Sequence, residues 1–165
     1  MNEILALKQE LLEGNFDKAL RLTVELETMS RQDKINAIEN FLTVVVSRLI
    51  AIQVTDYLFL SYINDIRNSL IEIKQRNRLD DNFYIQEDEW YSHYENIVSH
   101  AILVAAETTE LWDDSITPFQ LENLLDFEKL RVETLKLIRL IYSLNVVDLD
   151  RYLKQNWPEK QIYQY

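Results

Sequence analysis

INAIENFLTVVVSRLIAIQ, Ile35 to Gln53, places apolar residues at Ile35, Ile38, Leu42, Val45, Val46, Leu49 and Ile52. Steps of three and four put these side chains in one stripe on a helix. The run Val44-Val45-Val46 has strand character through its branching. The helical period continues on both sides and outweighs it. The most apolar part, FLTVVVSRLIAIQV from Phe41 to Val54, is too short to span a bilayer and is interrupted by Arg48. It therefore reads as a buried core helix.

Upstream, MNEILALKQELLEGN predicts a first helix over Asn2–Glu13, with Ile4, Leu5, Leu7, Leu11 and Leu12 on one broad face. Gly14-Asn15 stops it, because both residues tolerate a left-handed C-terminal conformation. A second helix is expected from Phe16 to Met29. Ser30-Arg31-Gln32-Asp33 has the form of a capping box, so a third helix is expected to start there and run to Gln53. LLEGNFDKAL, Leu11 to Leu20, looks like the turn of a tetratricopeptide unit. No second copy occurs in phase at a repeat of about 34 residues, so it reads as an ordinary helical hairpin.

Downstream, Leu58, Tyr62, Ile63, Ile66, Leu70 and Ile73 predict a fourth helix over Asp56–Arg76, followed by a polar connection to Asn82. A fifth helix is expected over Phe83–Thr108, with Trp90, Tyr94, Ile97, Ala101, Val104 and Ala105 inward. Thr117-Pro118-Phe119-Gln120 is a capping box with proline at the first helical position, opening a short helix to Leu125. Asp126 caps another over Phe127–Leu144, apolar around a wide arc. Such a helix is central in a core or lies at an oligomer interface, with Leu130, Leu137 and Ile141, together with Trp157, as interface candidates. Asp148 is expected to cap a last helix to Gln155, ended by Trp157-Pro158.

Composition agrees with this outline. The 165 residues hold one glycine and two prolines, too few for the many turns of a strand-rich fold. The expected fold is a single all-α domain, a bundle of about six to eight helices with residues 129–165 as a helical extension. Phosphate loops, dinucleotide fingerprints and nucleophile elbows need glycine and are unexpected in their usual forms. The absence of cysteine excludes disulfides and thiolate–metal sites. That absence and an acid-bearing N-terminus unlike a signal peptide suit a cytoplasmic setting.

The net charge is −11, and Leu79 to Glu128 holds thirteen Asp and Glu with no Lys or Arg. Such a block repels phosphate backbones, so nucleic acid and anionic membrane are disfavoured partners. It suits docking of a basic protein partner through Asp80, Asp81, Glu87, Asp88, Asp113 and Asp114. The plainer alternative is a solvated surface that maintains solubility.

His93 and His100 are seven residues apart, with Glu89 four before and Glu107 seven after. Inward His and Glu side chains of a helical bundle can hold a metal ion. This stripe lacks the tighter Glu-x-x-His or His-x-x-x-His spacing. The alternative is one half-buried histidine and one at the surface. The pairs Asp80-Asp81 and Asp113-Asp114 can bind a divalent cation, or serve as loop solvation and capping. Trp157, Tyr163 and Tyr165 can anchor a partner or fold back on the domain. No catalytic residue and no cofactor is indicated.

ELETMSRQDKINAIENFLTVVVSRLI, Glu25 to Ile50, resembles the hallmark segment of the bacterial family catalogued as domain of unknown function 29, where Glu-Ile/Leu-Glu-x-Met-x-Arg leads into a leucine-rich helix. SYINDIRNSLIEI, Ser61 to Ile73, looks like that family's next helix, and PFQLENLLD, Pro118 to Asp126, its closing segment. Order and spacing agree over residues 10–128. The resemblance implies a small helical protein in a cytosolic setting and supplies no activity. The family often carries a histidine where Arg48 stands, so a site built on it would be absent or altered. The segment after Lys129 extends past the resemblance.

Three functions are therefore expected to compete. A non-enzymatic protein-interaction module stands first. A metal-dependent enzyme or small-ligand binder and a self-assembling dimer are the alternatives.

Overall fold

The structure, a computed structural model, describes residues 2–55, 57–108, 116–157 and 160–163. The described residues form seven helices and four two-residue strands: α1 Glu3–Leu12, α2 Phe16–Thr55, β1 Leu58–Phe59, α3 Leu60–Arg76, β2 Arg78–Leu79, β3 Asn82–Phe83, α4 Trp90–Thr108, α5 Pro118–Leu124, α6 Phe127–Leu140, α7 Val146–Gln155 and β4 Ile162–Tyr163. The fold is all-α. Two compact units divide the chain, Met1–Asn36 and Ala37–Tyr165, and the division falls inside α2.

In the first unit, Asn2 caps α1 by accepting from the Ile4 amide at 3.0 Å. Gly14, at φ +76°, ends it. The Gly14 amide donates to the Leu11 carbonyl and the Asn15 amide to the Glu10 carbonyl, which satisfies two otherwise orphaned acceptors. The Glu10 carboxylate accepts from Asn15 Nδ2 at 2.9 Å and pairs with Lys18, so the chain turns back on itself. The Lys18 ammonium, and then the Asn15 amide, hold the Glu10 carboxyl below its ordinary range.

The expected break at Ser30 does not occur, and α2 runs unbroken for 40 residues. A capping box strengthens a helix start where the chain already has reason to turn. No Gly or Pro lies between Phe16 and Thr55, and nothing removes a helical hydrogen bond there. Gln32 instead donates one turn ahead to Asn36 Oδ1 at 2.8 Å.

In the second unit, Ile38, Leu42, Val45, Val46, Leu49 and Ile50 of α2 are at most 1% exposed, and the branched valines are helical core. This part of α2 belongs to the one described helix long and apolar enough to cross a membrane, and 56% of its apolar window is buried inside the protein. Around it α3 packs on α7, and α4 on α5 and α6. The Ile63, Ile66, Leu70 and Ile73 stripe of α3 is fully buried, as its spacing predicts. Arg67 Nη1 donates to Asp150 Oδ1 at 2.7 Å and joins α3 to α7. The Gln53 side chain pairs with both backbone groups of Asp126 (3.2 and 2.9 Å), fixing the end of α2 at the α5–α6 joint.

Several boundaries differ from the periodicity. Leu58-Phe59 pairs in parallel with Ile162-Tyr163, so α3 starts only at Leu60. Residues 78–83, expected as a polar connection and a helix start, form an antiparallel β-hairpin. Consequently α4 begins at Trp90 and not at Phe83. The Thr117–Gln120 capping box forms as expected (3.2 and 2.8 Å), and Asp126 caps α6 through the Lys129 amide at 3.0 Å. Asn145, not Asp148, caps α7, and Asp148 supplies the amide it accepts from.

Candidate functional site

The acidic segment between α3 and α4 is built on Asn77, which is 1% exposed. Its side-chain amide closes a two-way pairing with Ile85: Nδ2 donates to the Ile85 carbonyl at 2.9 Å, and Oδ1 accepts from the Ile85 amide at 2.7 Å. The Asn77 carbonyl accepts from the Tyr84 amide. Tyr142, just beyond α6, closes the network. Its hydroxyl accepts from Trp90 Nε1 at 2.6 Å and from Asn77 Nδ2 at 3.2 Å, and donates to the Ile85 carbonyl at 3.0 Å. Burial pushes its phenol up, against the lowering effect of the Trp90 and Asn77 donors. The Phe83 ring meets Tyr142 edge-on at 4.9 Å.

Five carboxylates are carried on this strapped segment, Glu89 and the four predicted docking residues Asp80, Asp81, Glu87 and Asp88. Asp80 and Asp81 form the tip of the β2–β3 hairpin, where Asp80 takes φ +50°, a left-handed value that Asp tolerates in turns. Glu87 and Asp88 stand in the turn before α4. All four are exposed, and among the described residues none has an ion-pair partner. Asp113 and Asp114 lie outside the described residues.

The structure does not bring the predicted histidine stripe together. His93 is half-buried on α4, and its Nδ1 lies 2.7 Å from Glu39 Oε1 of α2. His100 is exposed two turns further along, about 10 Å at helical rise. Glu107 is exposed near the end of α4. Glu89 precedes the helix, so its carboxylate does not share the histidine face; it accepts from the Gln86 amide at 2.7 Å. Among the described residues no three His, Asp or Glu side chains are grouped to hold a metal ion. Nothing in the sequence marks Glu39, since its partner stands 54 residues away and neither helix period singles it out.

The interface candidates are interior. Leu130, Leu137 and Ile141 are at most 3% exposed and Trp157 is 9% exposed, so the wide apolar arc of α6 is spent on the unit's own core. Tyr163 folds back, meeting Tyr57 at 5.5 Å and Phe59 at 5.8 Å. Pro158 and Tyr165 lie outside the described residues. Arg48, at the position where the resemblance would place a histidine, donates from Nε to Asp65 Oδ2 at 2.8 Å and lies over the Tyr62 ring. That arrangement is a tie between α2 and α3.

No family model, curated protein or solved structure matches this chain.

Proposed function

We propose that this chain is a non-enzymatic protein-interaction module whose acidic loop docks a basic surface of another protein. The observation that carries the reading is the strapped segment from Asn77 to Trp90, with Asp80, Asp81, Glu87 and Asp88 exposed and unpaired. A loop already held in shape loses little conformational freedom on binding, which favours affinity. Four like charges attract a basic partner and speed its encounter. The same charges oppose nucleic acid and anionic lipid, so a protein partner in the cytoplasm fits best. The resemblance to the domain-of-unknown-function family is compatible with this role and adds no activity to it.

The test is affinity capture from source-cell lysate at low salt, comparing the native chain with the D80N/D81N/E87Q/D88N variant. A basic protein retained by the native chain and weakened at least about tenfold by the neutralised one is the expected result, given the salt-sensitive share of such interfaces. Equal recovery by both chains, or no specific protein on either, overturns the reading.

A further inference from the structure

The first unit has almost no interior of its own. Among its described residues Ala19 is the sole apolar side chain below 9% exposure. Units below about 40 residues rarely bury enough surface to hold together without disulfides, metal or oligomerisation. The unit holds no cysteine, and its α2 segment continues as one helix past Asn36, so a second surface laid on its open apolar side would add the burial it lacks.

The exposed side is apolar and ordered. Ile4, Leu5, Leu11 and Leu12 on α1, and Phe16, Leu20 and Val24 on α2, are 51–75% exposed. On α2 the three residues repeat every four positions and form one stripe. The covered sides are Ala6, Leu7 and Glu10 on α1, and Ala19, Leu22 and Leu26 on α2. At 100° per residue, Ile4 and Leu11 on α1, and Phe16 and Leu20 on α2, are reached from the covered sides by turning in the same sense, while Leu5 and Leu12 lie across the back of α1. Two helices that fold back on each other therefore present Ile4 and Leu11 beside Phe16 and Leu20 on one side.

Charge selects the occupant. Asp17 and Arg21 flank the α2 stripe one turn apart, both exposed, and among the described residues neither has an ion-pair partner. They also line a shallow depression of about 600 Å3 with Gly14, Asn15, Phe16 and Lys18. A two-fold contact needs a surface complementary to itself. With two α2 helices antiparallel and Leu20 against Leu20, Phe16 faces Val24 of the second copy. On the flank, each Asp17 then comes within reach of the other copy's Arg21.

We infer that the α1–α2 hairpin is a homodimerisation surface, pairing with the hairpin of a second copy through Phe16, Leu20 and Val24 and through reciprocal Asp17–Arg21 ion pairs. The two hairpins form a four-helix arrangement. This inference is independent of the acidic-loop reading, and the D80N/D81N/E87Q/D88N variant leaves the dimer intact.

Sedimentation of the full chain over a concentration series tests it, with helicity followed by circular dichroism. The native chain is expected to be a dimer. Leu20→Glu, at a position already 65% exposed, is expected to give a helical monomer. Asp17→Arg and Arg21→Asp each set like charges together and are expected to weaken the dimer by about tenfold or more, while D17R/R21D restores it. A native monomer at the highest soluble concentration overturns the inference. So does a dimer indifferent to Leu20→Glu, or a double charge reversal that fails to rescue.

Discussion

Glu39 Oε1 lies 2.7 Å from His93 Nδ1, joining α2 to α4 across 54 positions of sequence. Both side chains are largely buried, at 16% exposure for His93 and 20% for Glu39. A hydrogen bond to a charged group in such a place contributes about 1.5–3 kcal/mol. Glu39→Gln and His93→Phe are each expected to lower urea stability by about 1–2 kcal/mol, with the double variant losing less than the sum. Strict additivity would show that the pair is not coupled.

Asn77 meets Ile85 through both backbone groups and Tyr142 through its hydroxyl. Removing a buried partner leaves its mates without hydrogen bonds, at about 1–3 kcal/mol for each. Asn77→Ala is expected to cost about 3 kcal/mol or more, and to expose the Ile85 amide to rapid hydrogen exchange. A stability loss with Ile85 still protected would mean that the segment is held by other contacts.

Asp150 and Glu133 should respond to pH in opposite senses. The Lys154 ammonium, and then the Arg67 guanidinium, hold the Asp150 carboxyl below its ordinary range. Its stabilising share is present above the unfolded value and is lost as pH falls through the lowered one. Asp150→Asn is thus expected to destabilise at neutral pH and to matter little in strong acid. Burial raises the Glu133 carboxyl, against the lowering effect of Lys129, Lys136 and Lys160. Its contribution is favourable below the unfolded value and lost as pH rises through the raised one. Glu133→Gln is expected to stabilise at neutral pH, with the gain vanishing in acid. Urea midpoints across the pH range check both signs.

Ser30 distinguishes a capped break from a continuous helix. As an N-cap it would lose about 1 kcal/mol on replacement by Ala. Inside unbroken α2 the same change is expected to gain about 0.5 kcal/mol, because Ala is the better helix former. Thermal unfolding of Ser30→Ala decides by sign alone.

Tyr94 is pushed up to about 12 by burial in the α4 core stripe. Ultraviolet titration is expected to show a late-ionising group of tyrosines that includes Tyr94 and Tyr142, and Tyr94→Phe is expected to remove one tyrosine from it. Ionisation of every tyrosine within the ordinary range would show the ring to be hydrated.

The helical class was legible because it is a local property. Residues that recur at three and four, Thr117 with Gln120, and Gly14 at a left-handed φ each act within one or two turns, and the structure contains them where the pattern places them. The false break at Ser30 shows the limit of the same signals. A capping sequence lowers the cost of a helix start but cannot impose one where the neighbouring residues continue the helix. Asn145 and Asp148 show it again, since either polar residue could cap α7 and the choice follows from where the chain turns after Tyr142.

The proposed sites divide along the same line. Sequence alone determined an acidic middle segment, a chain without thiol chemistry, and the apolar stripes of each helix. Tertiary structure decided which of those stripes stay open. The α6 arc, rich enough to suggest an interface, is consumed by the core of the second unit, while the plainer stripe of α1 and early α2 remains exposed. Tertiary structure also left His100 exposed and gave His93 its Glu39 partner. Periodicity reports how a helix face is composed. What covers that face depends on elements far away in the chain, whose packing no local spacing records.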